Sequence, residues 1–367
     1  MRVHVVDPSA FTPPYDHALC SALGAAGAEV ELFTSRFAYG TVPGAGDYGR
    51  VEFFYRAAAR LPGSGAAAQR ARRAVKLAEH VPDMLRYRRA ARSAEVVHFQ
   101  WLTVQQLDGR LLPRGRPLVL TAHDVLPREP RPGQLDAQRR LYERFDAVVA
   151  HSRHGRSRLI EELGVDPDRV HVIPHGAFAH LAEAPQAPPP FETDKPVVLL
   201  FGLMRPYKGI DVLLEAWRGI EQAELWIAGM PRMDISQLQA EAPDNVRFVP
   251  RFITDQQLPP YFRRADLIVL PYREIEQSGV LFTALAFGKP LLLSDVGGFG
   301  ELAAAGAGRL VPPGDPDALR GALLELLGDP DELAALAARS AALAASEYAW
   351  EAIGRRTLAL YEQLLAG

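Results

Sequence analysis

Residues 197–209 have the sequence VVLLFGLMRPYKG, and this stretch decides the fold of the second half of the chain. The apolar run from Val197 to Leu200 has the length and composition of a buried strand. A turn carrying Gly202, Arg205 and Lys208 follows it, before an amphipathic segment that is predicted to be a helix. Glycine permits close approach of the backbone to a ligand, and the N–H groups at a helix start favour anions. The stretch therefore predicts a phosphate or diphosphate site, although two cations at this spacing are also compatible with solvated surface charges.

A second stretch extends the same pattern. Residues 276–301 have the sequence EQSGVLFTALAFGKPLLLSDVGGFGE, which begins with a polar turn and continues into an apolar helix over Val280–Phe287. This arrangement offers a second helix start. A ligand held by both stretches would place phosphate at the cations and hydroxyl groups at Glu276 and Ser278. Such a ligand is a nucleotide sugar.

The two stretches together resemble the donor-binding half of retaining family 4 glycosyltransferases of the GT-B fold. In that family a strand, a Gly-x-x-Arg-x-x-Lys-Gly turn and a Ser-Gly-Val helix start follow one another in this order. The resemblance implies that Arg205 and Lys208 neutralise the donor diphosphate, which the amides of Gly279 and Val280 also contact. It further implies transfer from a UDP-, GDP- or ADP-hexose to a glycan, lipid-linked or small-molecule acceptor, with retention of configuration and with no metal or other cofactor.

The chain departs from the family pattern at one point. Members carry two glutamates separated by seven residues, the first near the transferred sugar and the second on the nucleotide ribose. The corresponding positions here are Ile275 and Thr283, so that Glu276 or Glu274 is the candidate for the first role. Thr283 offers a hydroxyl group where a carboxylate would accept two ribose hydrogen bonds.

The first half of the chain opens as a βαβ unit. Arg2–Val6 and Glu29–Phe33 are predicted strands, and Tyr15–Ala26 is a predicted helix. The loop between the first strand and the helix contains no G-x-G-x-x-G, which argues against a nicotinamide oxidoreductase. We expect acceptor contacts from Tyr15 or Asp16 near this loop.

Histidines follow two later strands of the first half. His123 lies in TAHDVLP, which resembles the family's Thr-x-His-Asp segment, and the resemblance implies a role in sugar binding or electrostatic stabilisation. His175 lies in PHGAF, which resembles the loop that closes the first domain. His175 is predicted either to face the substrate or to form a turn, whereas His98 is more typical of a structural residue.

The alternation of strands and helices predicts an α/β fold with two domains. In the GT-B arrangement that the resemblance implies, two Rossmann-like parallel-sheet domains face a central cleft. We expect an N-terminal acceptor domain over residues 1–178, a Pro-rich linker over 179–196 and a C-terminal donor domain over 197–349. A final helix over about 350–367 is expected to cross back to the first domain.

Composition restricts the function further. The 367 residues carry a net charge of −3, which gives no support for nucleic acid binding. Cys20 is the single cysteine, so an internal disulfide is excluded and a cytoplasmic location is expected. No apolar run reaches the roughly 18 residues that a membrane span needs. Three Asp-Pro-Asp triplets, which begin at Asp166, Asp315 and Asp329, are predicted to be turns or helix caps rather than metal ligands.

Residues 56–92 are rich in basic side chains. They contain ten Arg or Lys residues against two acids, Glu79 and Asp83. A solvated helix face explains this pattern, and so does peripheral contact with an anionic membrane or a phosphorylated acceptor. Two alternatives to transfer also stay open, namely a GT-B nucleotide-sugar epimerase and a sugar-nucleotide-binding protein without transferase activity.

Overall fold

The computed structural model describes residues 1–37, 44–63, 65–125 and 133–367 of the chain. The described residues form two compact units. The N-terminal unit comprises Met1–Pro174 together with Trp350–Gly367, and the C-terminal unit comprises His175–Ala349. Leu126 and Pro127 of the TAHDVLP segment lie outside the described residues, whereas His123 lies within them.

The N-terminal unit is built on a parallel sheet with the strand order β3-β2-β1-β4-β5-β6-β7. Its strands are β1 (Arg2–Asp7), β2 (Glu29–Ser35), β3 (Gly49–Phe54), β4 (Val96–Phe99), β5 (Leu118–Thr121), β6 (Ala147–Ala150) and β7 (Val170–Val172). Its helices are α1 (Pro13–Ala25), α2 (Arg56–Arg60), α3 (Ala66–Ala90), α4 (Gln105–Leu111), α5 (Gln134–Tyr142), α6 (Arg153–Glu161) and the C-terminal α15 (Trp350–Ala366). Apolar clusters cover both faces of this sheet, as the apolar strands require.

The C-terminal unit is built on a second parallel sheet with the order β10-β9-β8-β11-β12-β13. Its strands are β8 (Val197–Phe201), β9 (Glu224–Ala228), β10 (Val246–Val249), β11 (Leu267–Leu270), β12 (Leu291–Ser294) and β13 (Gly308–Val311). Its helices are α7 (Ala179–Ala182), α8 (Ile210–Trp217), α9 (Ser236–Ala240), α10 (Pro259–Arg264), α11 (Gly279–Ala286), α12 (Phe299–Ala304), α13 (Pro316–Gly328) and α14 (Pro330–Ala344). The prediction of an α/β fold with two parallel sheets is confirmed.

The C-terminal helix α15 belongs to the core of the N-terminal unit. Ile353, Leu360 and Tyr361 are buried in the apolar cluster that also contains residues of β1 and α1. The hydroxyl of Tyr361 lies 2.6 Å from Nδ1 of His98 on β4. Nε2 of His98 lies 2.7 Å from the hydroxyl of Thr121, so this buried histidine is fully hydrogen-bonded and structural.

The segment predicted as a linker packs within the C-terminal unit. The ring of Phe191 meets Trp226 of β9 edge-on, with 5.3 Å between centroids. The guanidinium of Arg263 donates to the carbonyl oxygens of Ala182 and Pro185. These contacts explain why the division of the chain falls between Pro174 and His175, before the predicted linker.

Two strands were not predicted from the sequence. Residues 49–54 form β3 at the edge of the first sheet, and residues 308–311 form β13 at the edge of the second. Both are short and only partly buried, so their hydrophobic pattern is weak. The predicted caps at Asp315 and Asp329 are confirmed, because each carboxylate accepts a hydrogen bond from a backbone N–H three residues later.

Candidate functional site

Three neighbouring strands of the C-terminal unit place the predicted donor-binding stretches together. β8 pairs with β11, and β11 pairs with β12, all in parallel. The turns that leave these strands at their carboxyl ends therefore emerge at one edge of the sheet. A Cβ atom added to Gly297, after β12, would overlap the carbonyl oxygen of Ile275, so the third turn contacts the segment before α11. The two sequence stretches thus converge as the sequence predicted.

Lys208 is a buried cation at this edge. It ends the 3₁₀ turn Pro206–Lys208, and only 5% of its surface is exposed. Its Nζ atom donates a hydrogen bond of 2.5 Å to the hydroxyl of Tyr272 and lies 4.3 Å from the centroid of that ring. Tyr272 itself is fully buried, and its hydroxyl lies 3.4 Å from that of Ser278. Tyr272 therefore fixes the position of the ammonium group.

Gly202 and the start of α11 lie beside this cation. A Cβ atom on Gly202 would lie 3.4 Å from Nζ of Lys208 and 3.1 Å from Cγ2 of Val280, and its φ of +106° favours glycine. Helix α11 begins at Gly279, and the side chain of Ser278 makes no capping hydrogen bond to it. The helix start, with its partial positive charge, thus adjoins the ammonium group.

The remaining predicted donor residues differ in exposure. Arg205 is exposed, and its guanidinium makes no hydrogen bond or ion pair within the described part of the chain. Glu276 is half-buried in the segment that Gly297 contacts, whereas Glu274 is exposed. Thr283 is buried, and its hydroxyl donates a 2.9 Å hydrogen bond to the carbonyl oxygen of Gly279. That hydrogen bond uses the one proton of the hydroxyl, so Thr283 offers a ribose only acceptor lone pairs.

His175 packs against the same helix. Its ring stacks on Phe282 of α11 with centroids 4.4 Å apart and an interplanar angle of 11°. Its Nδ1 atom lies 2.7 Å from the carbonyl oxygen of Gly176, and the residue is 8% exposed. The structure therefore places His175 among the groups that hold α11.

In the N-terminal unit, His123 lies in a cluster of rings at the carboxyl ends of the strands. It stacks on Trp101 with centroids 4.9 Å apart and an interplanar angle of 10°. The ring of Tyr15 meets it edge-on at 4.7 Å. Its two nitrogens lie 3.2 Å from Oε1 of Gln100 and 3.3 Å from Nε2 of His151. Two ring contacts and two hydrogen-bonding partners thus fix the orientation of the half-buried imidazole.

The protonation of His151 determines how His123 is oriented. Burial lowers the pKa of His151 to about 4, so its ring is neutral near pH 7. Its Nδ1–H group donates to the carbonyl oxygen of Ile173 at 3.0 Å, which leaves Nε2 as an acceptor. His123 therefore donates from Nδ1 to His151, and its Nε2 atom is an acceptor that faces the side-chain amide of Gln100. The amide nitrogen of Gln100, which has no other hydrogen-bond partner among the described residues, is the group of that side chain that can donate to Nε2.

Tyr15 and Asp16, the predicted acceptor residues, are both buried. Burial raises the pKa of Asp16 well above its usual range, and the nearby carboxyl of Asp7 adds to this shift. Asp16 borders a cavity of about 280 Å³ whose wall also includes Arg36, Arg50 and Glu52. Tyr15 packs between His123 and Trp350 of α15 and supports the histidine.

Sequence reasoning missed two residues of these clusters, Tyr272 and His151. Each comes one or two positions after a strand, β11 and β6 respectively. Ligands of open α/β sheets bind at such positions, so the signal was present in the sequence. Among the described residues, no three His, Cys, Asp or Glu side chains come together as metal ligands would.

Solved structures share the whole fold. Sucrose-phosphate synthase from Thermosynechococcus elongatus has a TM-score of 0.77 at 22% identity, covering 100% of this chain and 99% of that chain. HepE from Anabaena in complex with UDP has a TM-score of 0.71 at 19% identity, covering 99% of this chain and 100% of that chain. The chain therefore has the GT-B fold, as the sequence predicted.

Sequence comparison supplies the family. Residues 15–177 match the family described as Glycosyltransferase Family 4, and residues 195–329 match the family described as Glycosyl transferases group 1. The D-inositol 3-phosphate glycosyltransferase of Kineococcus radiotolerans is 27% identical over 319 residues, which are 75% of this chain and 73% of that protein. The chain thus contains a family 4 glycosyltransferase region and a group 1 glycosyl transferase region, in agreement with the resemblance that its motifs carry.

Proposed function

We propose that the protein transfers a hexosyl group from a nucleoside-diphosphate hexose to a hydroxylated acceptor, with retention of configuration and without a metal ion. The observation that carries this proposal is the buried ammonium of Lys208 between Gly202 and the start of α11. Negative charge develops on the diphosphate as the glycosidic bond breaks. A fixed cation and a helix start stabilise such charge without reorganising.

Each donor residue has a role in this proposal. Lys208, Arg205 and the amides of Gly279 and Val280 bind the diphosphate. Glu276 and Ser278 bind hydroxyl groups of the sugar, and Thr283 accepts a hydrogen bond from the ribose. Arg205 is exposed before the ligand arrives, and binding would give it a phosphate partner.

His123 serves the transferred sugar in this proposal. Its ring is held by Trp101, Tyr15 and His151, so a sugar hydroxyl that displaces Gln100 would meet Nε2 in a fixed position. Such preorganisation reduces the entropy that is lost when a substrate is positioned. His175 contributes through α11, because its ring stacks on Phe282 and helps to fix the helix start.

The donor is tested by calorimetry on the whole chain with UDP, GDP and ADP and with their hexoses. We expect one of the three bases to bind, and the HepE structure with UDP makes UDP the first to examine. A nucleotide at about one hundred times its dissociation constant would add about 2.7 kcal/mol to the free energy of unfolding of the C-terminal unit. Absence of binding by all three would refute the proposal.

The reaction itself is tested with the bound donor and a panel of hydroxylated acceptors. Nuclear magnetic resonance of the product should show the anomeric configuration of the donor, and EDTA should leave the rate unchanged. Turnover of the donor to an isomer without acceptor would identify an epimerase instead. Binding of the donor with no turnover under any condition would indicate a binding protein.

We propose in addition that α3 contacts the surface of an anionic membrane from the cytoplasmic side. Leu77, Val81 and Leu85 form an exposed apolar stripe on this helix, with 60%, 37% and 42% of their surfaces accessible. Arg73 and Arg89 extend the stripe at the same four-residue spacing. Basic side chains around an exposed apolar stripe suit binding at a lipid interface. None of the described helices is long and apolar enough to cross a membrane.

Vesicle flotation tests the membrane contact. We expect the protein to float with phosphatidylglycerol vesicles and not with phosphatidylcholine vesicles. Replacement of Leu77 and Leu85 by Ser should abolish flotation while leaving nucleotide binding unchanged. Equal flotation with both lipids would contradict the proposed role of the arginines.

A further inference from the structure

Lys76 is half-buried on α3, as Arg72 and Arg88 are, and its ammonium lies beside two aromatic rings. The side chains of Arg70, Arg73 and Arg89 are exposed, whereas that of Lys76 is half-buried. Its Nζ atom lies 4.7 Å from the ring centroid of Tyr55 and 5.7 Å from that of Phe11. Within the described part of the chain, Nζ makes no hydrogen bond and no ion pair. A half-buried ammonium without a counter-ion favours an anionic ligand that approaches it.

A chain of hydroxyl groups lies beside this ammonium. The hydroxyl of Tyr55 lies 3.0 Å from that of Thr103, which lies 2.7 Å from that of Ser9. At the buried end, the hydroxyl of Tyr55 contacts Nδ1 of His80 at 2.8 Å, and Nε2 of His80 contacts Asp108 at 2.7 Å. The buried end fixes the hydroxyl groups in place, and Ser9 and Thr103 remain partly accessible.

Aromatic rings connect Lys76 to the histidine cluster. Phe11 is 55% exposed, although large apolar side chains are usually covered. Its ring lies 5.3 Å from that of Trp101, and Trp101 stacks in turn on His123. The order along the strand ends is therefore ammonium, exposed ring, indole and imidazole. Exposed aromatic faces pack against the C–H groups of a sugar or cyclitol ring.

We propose that these groups form the acceptor subsite and that its ligand is a hydroxyl-rich ring that carries a phosphate. The phosphate binds Lys76, the hydroxyls of Ser9 and Thr103 bind its oxygens, and the ring lies on Phe11 and Trp101 toward His123. This inference rests on the proposed transferase function, because it names the class of acceptor. The name of the Kineococcus radiotolerans relative includes an inositol phosphate, which belongs to this chemical class.

The electrostatic surroundings agree with this assignment. Burial lowers the pKa of Lys76, and the nearby carboxyl of Asp7 acts in the opposite direction. Asp7 is itself buried, and burial raises its pKa. A phosphate dianion would supply what Asp7 does not, a negatively charged oxygen in hydrogen-bonding contact with the ammonium.

The test is calorimetry on the whole chain without nucleotide, with myo-inositol 1-phosphate, myo-inositol and inorganic phosphate as probes. We expect the phosphorylated ring to bind at least tenfold more tightly than either fragment. Lys76→Met keeps the apolar stem against the two rings and removes the charge. This variant should bind myo-inositol 1-phosphate at least tenfold more weakly, because it loses a hydrogen bond between two charged groups. Ser9→Ala should weaken it by about threefold.

The matched control is Arg50→Gln. It removes a cation from the cavity beside Asp16, which lies in the same unit. None of Lys76, Ser9, Thr103 and Phe11 lines that cavity, so binding should be unchanged in the control. Loss of binding in Arg50→Gln, or wild-type binding in Lys76→Met, would overturn the assignment. Equal affinity of the wild type for myo-inositol and its phosphate would also overturn it.

Two further arms separate related questions. Competition between myo-inositol 1-phosphate and phosphatidylinositol vesicles shows whether a lipid headgroup or a free phosphate is the source of the ligand, and either result supports the subsite. UDP and GDP binding by each variant is measured in parallel. If a nucleotide binds and no phosphorylated ring does, the subsite is refuted and the transferase proposal stands. If no nucleotide binds, the transferase proposal is refuted, and the assignment of the subsite to an acceptor is refuted with it.

Discussion

The two sheets of the molecule present different chemistry at their carboxyl ends. In the C-terminal unit this edge consists of glycines, helix amides and one buried cation, Lys208. In the N-terminal unit it consists of rings, with His123 held among Trp101, Tyr15 and His151. Backbone groups and a fixed cation suit a ligand group that never changes, such as a diphosphate, whereas side-chain rings can change with the ligand. The sequence motif is accordingly clearer in the C-terminal unit.

The largest effect on activity is expected for replacement of Lys208, the buried cation of the C-terminal unit. Lys208→Met should lower kcat/KM for transfer by about 100- to 1000-fold, as loss of one preorganised donor to a developing charge does. Steady-state kinetics with the identified donor measure it. Lys289→Met is the matched control, since Lys289 is half-buried in the same unit and its Nζ donates to the carbonyl oxygen of Arg263. Equal losses in the two variants would show that Lys208 acts only on stability.

The next effect concerns the backbone of the C-terminal edge. Gly209 has a φ of +65°, and a Cβ atom there would overlap the carbonyl oxygen of Pro271. Gly314 has a φ of +74° with nothing within 4 Å of its Cβ position. Gly314→Ala should therefore cost only the left-handed strain of about 1–2 kcal/mol, whereas Gly209→Ala should cost about 3 kcal/mol or more. Denaturant unfolding measures the loss of unfolding free energy in both variants. Equal losses would mean that the backbone at Pro271 moves to accommodate the new methyl group.

The N-terminal unit is expected to be sensitive to acid because of its buried histidines. Burial lowers the pKa of His98 to about 3 and that of His151 to about 4, from an ordinary value of 6.5. Below pH 6.5 the unfolded chain binds protons at these residues and the folded unit does not, so stability falls as the pH drops toward 4. Burial lowers the pKa of His4 to about 4 as well. Each of these three histidines should lower the free energy of unfolding by about 1 kcal/mol between pH 6.5 and 5.5, or about 3 kcal/mol together.

Thermal melting across this pH range tests the expectation. Tryptophan fluorescence of a variant with Trp217 and Trp226 replaced by Phe follows the N-terminal unit, which keeps Trp101 and Trp350. His98→Gln should reduce the histidine contribution to the pH dependence of the N-terminal transition by about a third, since it removes one of the three groups. A pH-independent N-terminal transition between pH 6.5 and 5.5 would contradict the neutral state of His98 and His151.

The smallest effect is expected at Tyr272. Tyr272→Phe keeps the ring beside Lys208 and removes the hydroxyl that accepts its hydrogen bond. The ammonium stays buried but loses its orientation, so kcat/KM should fall by about tenfold. A loss as large as that of Lys208→Met would assign the charge stabilisation to the tyrosine instead. No loss would mean that the ring alone positions the lysine.

The sequence was sufficient to predict what depends on local pattern. Gly202, Arg205 and Lys208 follow one strand in a fixed order, so their placement at a sheet edge required no knowledge of distant contacts. The two parallel sheets were also predictable, because short apolar strands that alternate with helices form a local pattern in the sequence. His123 was placed by its position after β5.

The partners of these residues could not be predicted in the same way. Tyr272 is separated from Lys208 by 64 positions, and only the pairing of β8 with β11 brings them together. Lys76 faces Phe11 and Tyr55 because of the way α3 is rotated about its own axis. The basic residues are spread around that helix, so their positions in the sequence do not show which face packs inward. The burial of Asp16 depends on β2 and β3, whose residues line the cavity beside it. The alternation of apolar and polar residues in β3 was too weak to predict that strand.

The hydrogen bond between Tyr361 and His98 has a consequence for synthesis of the chain. The core around β4 is completed by the hydroxyl of Tyr361 on α15, and the whole C-terminal unit is translated between β4 and α15. The ribosome therefore makes the second unit before the first can close. During translation the core of the first unit stays incomplete until α15 emerges and packs into it.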